Sequence, residues 1–342
     1  MKRKILVTGG TGYIGSHTVV ELIEEGFDVT IVDNLYNSEA TVADRIKSIT
    51  GVMPALEVFD MCDPRSLEEL FSKEKGFDAV IHFAAFKAVG ESVEKPLAYY
   101  SNNLVSLINL LEAMKKHRTS SLVFSSSCTV YGQPDKLPVA EDAPLKPATS
   151  PYGNTKKIGE DIIRDTIFSS EDMKAISLRY FNPIGSHPSA LIGELPRGVP
   201  ENLVPFITQT AAGLRDELKV FGDDYNTPDG SCIRDYLHVV DLAKAHVVAV
   251  KRLTEGKNKK NYEVFNLGTG KGVSVLEAIS SFERVSGIRL SYKVTGRRPG
   301  DIEKIWADPS FANTELGWRT ESSLDDAMRT AWKWEQNLKR KT

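Results

Sequence analysis

The sequence predicts an α/β protein in which a doubly wound parallel sheet is joined to a smaller mixed α/β domain. Three observations predict it: short apolar runs alternate with helix-period segments through the first half, a glycine-rich turn links the first run to the first helix, and this rhythm breaks after Phe181. The runs at residues 4–8, 29–33, 56–60, 79–83, 121–125 and 175–181 are rich in Val, Ile, Leu and Phe, as strands covered on both faces should be. Between them, residues 13–25 and 98–116 read as helices, the second with Leu104, Leu107, Ile108 and Leu111 at i, i+3, i+4 and i+7. Such alternation argues right-handed crossovers within one parallel sheet.

From 182 to 235 the chain is expected to run as a long functional loop, marked by Pro183, Pro188, Pro196, Pro200, Pro205 and Pro228. Regular patterns return at 239–253, 263–267, 274–286 and 324–338, and Ser274 and Glu277 have the spacing of a capping box. The expected division is therefore 1–181 as a dinucleotide-binding domain and 182–342 as a mainly substrate-binding domain, with parts of 236–270 packing back on the first.

Composition narrows the class. The 342 residues are about twice the usual length of one domain, and 41% hydrophobic with 26% charged residues excludes disordered, collagenous and coiled-coil chains. A net charge of -3 supplies no field for a nucleic-acid backbone or an anionic membrane, so neither is expected as a partner. Cys62, Cys128 and Cys232 are too few and too scattered for a disulfide framework or a thiolate metal site, no histidine spacing matches zinc, and no metal is expected. The first nine residues leave no room for a signal peptide, and no apolar run approaches the roughly 18 residues of a membrane span. A cytoplasmic location is expected.

Gly9, Gly12 and Gly15 have the spacing G-x-x-G-x-x-G between the first strand and first helix. The first permits the tight turn, the second lets a pyrophosphate approach the backbone, the third allows close packing, and phosphate charge then meets a helix N-terminus. Asp33 ends the next strand, where a carboxylate accepts from the adenosine ribose and repels a 2′-phosphate, which favours NAD over NADP. Asp60, expected at the end of the third strand, is a candidate adenine contact. Tyr152 and Lys156 lie one turn apart on one helix face after Ser150-Pro151, and Ser125-Ser126-Ser127 marks a strand end about 25 residues earlier. A Tyr–Lys pair at this spacing arises readily by chance; its place beside the carboxyl end of a strand gives it weight.

Together these features resemble the extended branch of the short-chain dehydrogenase/reductase superfamily, with its Rossmann-like fold, and within it the UDP-glucose 4-epimerase family. The stretches that carry the resemblance are TGGTGYIGSH at 8–17, VDNLYNS at 32–38, HFAAFKAVGESVEKPL at 82–97, FSSSCTVYG at 124–132, SPYGNTK at 150–156, LRYFNPIGSHPS at 178–189 and IRDYLHVVDLA at 233–243. It implies reversible C4 epimerisation of UDP-glucose and UDP-galactose through a transient 4-keto sugar, as in galactose metabolism, with tightly bound NAD taking and returning the hydride. Tyr152 would be the acid/base, Lys156 would hold its phenolate, and Ser127 would relay the proton. A free tyrosine has a pKa near 10, so ionisation near neutral pH needs a shift of roughly 3 units.

The resemblance also implies further contacts. Tyr13, Ile14, Asn34, Met61, Phe83, Ala84, Ala85, Lys87, Asn102, Ser125 and Tyr180 would touch NAD, as Tyr152 and Lys156 do. Phe181, Asn182, Asn202, Leu203, Arg234, Arg298, Asp301 and Ile305 would line the UDP-sugar site, the two arginines neutralising the diphosphate and Asp301 reaching the uridine ribose. Helices at 98–116 and from 152 to 168 would pair across a homodimer. Departures from the family pattern are Ala85 in place of glycine, Cys128 in place of alanine, and Ile305 where many members have tyrosine; the last bears on the width of the sugar pocket. A 4-epimerase of another UDP-sugar, such as UDP-N-acetylglucosamine or UDP-glucuronate, needs the same apparatus. Dehydratases of the branch carry Thr-Asp-Glu where this chain has Ser127-Cys128-Thr129, and lack of those carboxyl groups argues against elimination.

Overall fold

The computed structural model describes residues 2–298 and 301–339. In chain order it contains β1 (Lys4–Thr8), α1 (Tyr13–Glu24), β2 (Asp28–Asp33), α2 (Thr41–Thr50), β3 (Ala55–Val58), α3 (Pro64–Glu74), β4 (Ala79–His82), α4 (Val89–Glu94), α5 (Pro96–Lys116), β5 (Ser121–Ser127), α6 (Pro151–Phe168) and β6 (Lys174–Tyr180). There follow β7 (Asn182–Ile184), α7 (Leu203–Ala211), β8 (Leu218–Phe221), β9 (Ile233–Arg234), β10 (Tyr236–His238), α8 (Val239–Thr254), β11 (Tyr262–Leu267), β12 (Val273–Ser274), α9 (Val275–Ser286), β13 (Tyr292–Thr295) and α10 (Leu324–Lys339). No helix among the described residues is long and apolar enough to cross a membrane.

Seven parallel strands make the main sheet in the order β11-β6-β5-β4-β1-β2-β3. The order reverses between β1 and β4, and a crevice at the carboxyl ends of the strands opens at such a point. One apolar cluster covers one face through Val19, Val20 and Ile23 of α1 and Leu242, Val250 and Leu253 of α8. A second covers the other through Leu67 and Phe71 of α3, Leu107 and Leu111 of α5 and Ile163 of α6. Thus α8 and β11, distant in sequence, complete the sheet's layer; Arg252 on α8 holds Glu263 on β11 by two bonds of 2.6 and 2.8 Å. A third cluster, around Val204, Ile207, Val220, Phe282 and Met328, builds the smaller part from α7, β8, α9 and α10. The Ser274–Glu277 capping box closes in full at the start of α9.

Several sequence expectations need correction. Residues 182–235 are not one loop: β7, α7, β8 and β9 lie within them. Pro205 stands in the first turn of α7, where an amide proton has no helical partner, so there proline starts an element and does not break one. The third strand ends at Val58, leaving Asp60 two residues beyond it; β3 is the sheet's edge and only half-covered, so its apolar run is a weak guide to its ends. Conversely, β5 runs past the apolar segment to Ser127, because Ser126 and Ser127 still pair with Arg179 and Tyr180 of β6. On α5 the buried stripe runs through Leu107, Leu110, Leu111 and Met114, while Ile108 faces outward.

At the first turn, Gly9 adopts φ +70° and its amide bonds the Val32 carbonyl at 2.7 Å. A Cβ on Gly15 would lie 2.2 Å from the Gly9 carbonyl oxygen and 2.9 Å from the Gly10 Cα, both backbone atoms. Gly15→Ala is therefore expected to lower stability by about 1–3 kcal/mol, the usual cost of overpacking. Thermal unfolding checks this, and a midpoint equal to the parent's would show that the turn yields freely.

Candidate active site

The loops after β1 and β4 meet at the point where the sheet order reverses. A Cβ on Gly9 would sit 2.8 Å from the Ala84 amide nitrogen, so the glycine turn and the Phe83–Ala84–Ala85 segment are packed backbone to backbone. Gly12 caps α1 with no side-chain hydrogen bond, which leaves the amides of Tyr13 and Ile14 facing outward from the helix start. Next to this turn Asp33 is buried, and its carboxylate accepts from the Thr11 amide at 3.2 Å, the Leu35 amide at 2.9 Å and the Ser38 hydroxyl at 3.1 Å. Asn34 reaches Asp60 at 3.4 Å, and Met61 is buried behind them with its carbonyl held by Asn109. Asn102 bonds its neighbour Asn103 at 2.9 Å.

The second half of the site is built on α6. Ser150 caps this helix by accepting from the Gly153 amide, and Pro151 occupies its first position. Tyr152 and Lys156 then project from one face toward the end of β5. Lys156 is 4% exposed; its Nζ donates to the Ser125 carbonyl at 2.7 Å and lies 5.9 Å from the Tyr152 ring centre and 5.0 Å from that of Phe124. Burial pulls its pKa down to about 8, with Glu160 acting in the opposite direction. Burial pushes the Tyr152 phenol well above the ordinary tyrosine value, Tyr180 adds to this, and a hydrogen bond with Ser127 works against it. Ser127 is itself fixed by the Thr129 amide and hydroxyl, at 3.2 and 3.0 Å. Tyr180 bonds the Ser125 hydroxyl, and burial lifts its phenol to about 12. The serine run thus serves different partners from successive residues.

The residues assigned to the nucleotide end fall into two groups. Arg298 holds Asp301 through two bonds of 3.2 and 2.7 Å, and Arg234 approaches the same carboxylate at 3.8 Å, so two guanidiniums converge on one acid. Asn202 bonds Glu194 at 2.6 Å, and Lys87, an expected cofactor residue, reaches the same Glu194 oxygen at 3.3 Å. Asn182 and Leu203 begin β7 and α7. Ile305 and Phe181 are buried in one cluster with Val130, Tyr131, Val139 and Ala307, against which Cys128 packs. Burial raises the Cys128 thiol to about 12, which leaves it an unreactive packing group beside Ser127.

Sequence reasoning missed several supports, Glu194 between Lys87 and Asn202 among them. Asn103 accepts from the Phe86 amide at 2.8 Å and donates to Thr155 at 3.0 Å, tying the loop after β4 to α6. Asp235 accepts from the amides of Thr269, Gly270 and Ala307, which fixes the segment carrying Ile305. Glu160 bonds Ser126 and Arg179 beneath Lys156. For Glu160 a signal existed: it stands four residues after Lys156, on the stripe that begins at Tyr152.

The sequence profile of the family described as GDP-mannose 4,6 dehydratase matches residues 6–331. A UDP-glucose 4-epimerase of Cyamopsis tetragonoloba is 50% identical over 333 residues, 96% of this chain and 94% of that protein. That of Bacillus subtilis is 48% identical over 333 residues, 97% of each chain. The crystal structure of UDP-glucose-4-epimerase from Stenotrophomonas maltophila, with bound NAD and formylated UDP-arabinopyranose, superposes with a TM-score of 0.96 at 48% identity, covering 99% of this chain and 100% of that one. Likeness of this extent takes in both halves of the site, and the chain belongs to the UDP-glucose 4-epimerase family.

Proposed function

We propose that this protein interconverts UDP-glucose and UDP-galactose by inverting C4, with NAD as its resident hydride carrier. The observation that carries the reading is the convergence of Ser127, Tyr152 and Lys156 at the end of β5, two strands from the glycine turn after β1. The residues fit the cofactor: an uncapped helix start with Gly12 at its tip suits a pyrophosphate, and the Asp33 carboxylate keeps acceptor capacity beyond its three bonds for a ribose hydroxyl. When bound, NAD supplies positive charge beside the site and a place for the C4 hydride to go and return from. Tyr152 Oη takes the proton of the sugar 4-OH and later gives it back, Ser127 Oγ steadies that oxygen, and Lys156 Nζ offsets the phenolate charge. Residues 1–181 hold the dinucleotide, and 182–342 mainly hold the UDP-sugar.

Arg234 and Arg298 face the diphosphate, with Asp301 orienting both; one carboxylate against two guanidiniums leaves a positive charge for an anionic ligand. Anchoring energy spent on the nucleotide leaves the 4-keto sugar few fixed contacts, so it can turn its other face to the hydride. The cycle consumes no oxidant. Asp33 favours NAD over NADP by placing a carboxylate where a 2′-phosphate would lie. A cytoplasmic setting suits the free thiols. Homodimer formation is supported by exposed apolar side chains on the two helices concerned: Leu97 (81% exposed), Val105 and Ile108 on α5, and Phe168 (94%) at the end of α6.

Tyr152→Phe removes the proton acceptor and keeps the ring, so turnover is expected to fall at least about 100-fold while UDP binding by calorimetry is unchanged. Near-parental turnover would place the base elsewhere. Ile305 walls the sugar pocket with a branched side chain smaller than tyrosine, and one apolar contact discriminates by about 10- to 200-fold. UDP-galactose is therefore expected to be preferred, with UDP-N-acetylgalactosamine converted slowly. The ratio of kcat/KM for the two sugars should rise in Ile305→Tyr and fall in Ile305→Cys; equal ratios in all three proteins would show that Ile305 is not the gate.

A further inference from the structure

The catalytic stripe of α6 does not end at Lys156. One turn on lies Glu160, and with Tyr152 and Lys156 it forms an i, i+4, i+8 row on one helix face. Glu160 and Arg179 of β6 are both buried, with side chains 3% and 6% exposed. Their geometry is bidentate: Arg179 Nε donates to Oε1 at 2.9 Å and Nη2 to Oε2 at 2.6 Å. Ser126 donates to the same Oε1 at 2.5 Å, so the middle serine of the β5 run, which has no part in the proposed chemistry, reads this carboxylate. Behind the pair Arg179 also donates to Tyr131 Oη at 2.9 Å and the Glu141 carbonyl at 3.2 Å, and Tyr131 donates to Asn266 on β11 at 2.6 Å. Three adjacent strands are thereby locked to the third turn of α6.

Stability alone is a poor reason for this arrangement, since a buried ion pair is often no better than apolar packing of the same volume. What singles it out is its neighbour. Among the described residues, Lys156 faces Glu160 and Tyr152 from α6, His82 from β4, the Ser125 carbonyl and Phe124 ring from β5, and Tyr180 across Ser125 from β6. Burial holds His82 near a pKa of 3 and Tyr180 near 12, so both are neutral in the working range. Tyr99 of α5 bears on Tyr152, with Glu91 of α4 bonded behind it at 2.9 Å; from α5 to α6 run two uncharged bonds, Asn103–Thr155 at 3.0 Å and Asn154–Tyr100 at 2.7 Å. Glu160 is the fixed anion beside the lysine, and Arg179 shares it.

We infer that Glu160 and Arg179 are positioning residues for Lys156: the pair fixes the register of α6 against β5, and the balance between its two charges sets how firmly Lys156 keeps its proton. The inference rests on the role of Lys156 given above. A carboxylate near a lysine favours its charged form and a nearby cation opposes it. Glu160 favours the charged lysine, and Arg179, bonded to that carboxylate, is inferred to offset it, which a purely structural clamp would not do.

The experiment compares Glu160→Gln, Arg179→Gln and the double variant, all as purified holoenzyme. Lys156 is titrated directly by NMR of lysine labelled with 13C at Cε, its signal assigned with Lys156→Met, and the pH profile of kcat/KM is measured beside it. In Glu160→Gln the Lys156 midpoint and the alkaline limb of activity should both fall by about one unit, and in Arg179→Gln both should rise. Each single change leaves a buried charge unpaired. If neither single variant folds, the double variant decides, with a midpoint expected below the parent's. A midpoint unchanged in every folded variant, or moved the same way in both single variants, overturns the inference. Midpoints that move in opposite directions while the activity profile stays still uphold the charge balance and contradict the reading of Lys156 in catalysis instead.

Discussion

A buried phenol does not give up its proton unless fixed positive charge stands beside it, and the arrangement around Tyr152 follows from that constraint. Burial raises the phenol, Tyr180 adds to the effect, and a hydrogen bond with Ser127 acts the other way. Lys156 is placed to meet the need, yet the same burial draws its own pKa down to about 8. A lysine in that position must be held by something that cannot move. The Ser125 carbonyl accepts a hydrogen bond from its Nζ, and the Glu160–Arg179 pair holds the helix turn that follows. The glycine turn after β1 lies two strands away along the same edge of the sheet.

The parallel sheet explains why such remote segments meet. Every strand of it points its carboxyl end the same way, so the turn after β1, the acid ending β2, the loop after β4 and the serines ending β5 all open on one edge. In the smaller part the sheets among the described residues have two strands each, and the candidate site residues there are held by side-chain ties. Asp235 is the clearest of these, since it holds three backbone amides and sets the path of the chain that carries Ile305.

The difference between the two halves also decides how much was legible in the sequence. Strands buried on both faces leave continuous apolar runs, and β1, β2, β4 and β6 lie within a residue of where those runs place them. Gly9, Gly12, Gly15 and Asp33 were readable because each answers a backbone or charge requirement at a fixed offset. The edge strand β3 left a run that misplaces its end, the short strands β7 to β9 left none that was read, and the prolines of 182–235 resembled loop markers although Pro205 lies in the first turn of α7. The Tyr152–Lys156 pair drew its weight from the serine-marked strand end beside it and not from its spacing, whereas Arg179 and Asn103 carried no signal, because their partners lie on other elements and periodicity says nothing of them. Glu194, which ties Lys87 to Asn202, was hidden for the same reason.

In the proposed reaction one hydrogen leaves C4 and returns to it without passing through water, while Tyr152 handles only the hydroxyl proton. A hydride held on a carrier does not exchange with solvent, but a proton moved by a phenol and a serine hydroxyl does. UDP-galactose deuterated at C4, incubated with the purified protein in ordinary water without added NAD, tests this directly. The expected product is UDP-glucose that keeps the deuterium at C4. Protium at that carbon, or conversion only when NAD is added in stoichiometric amount, would contradict it.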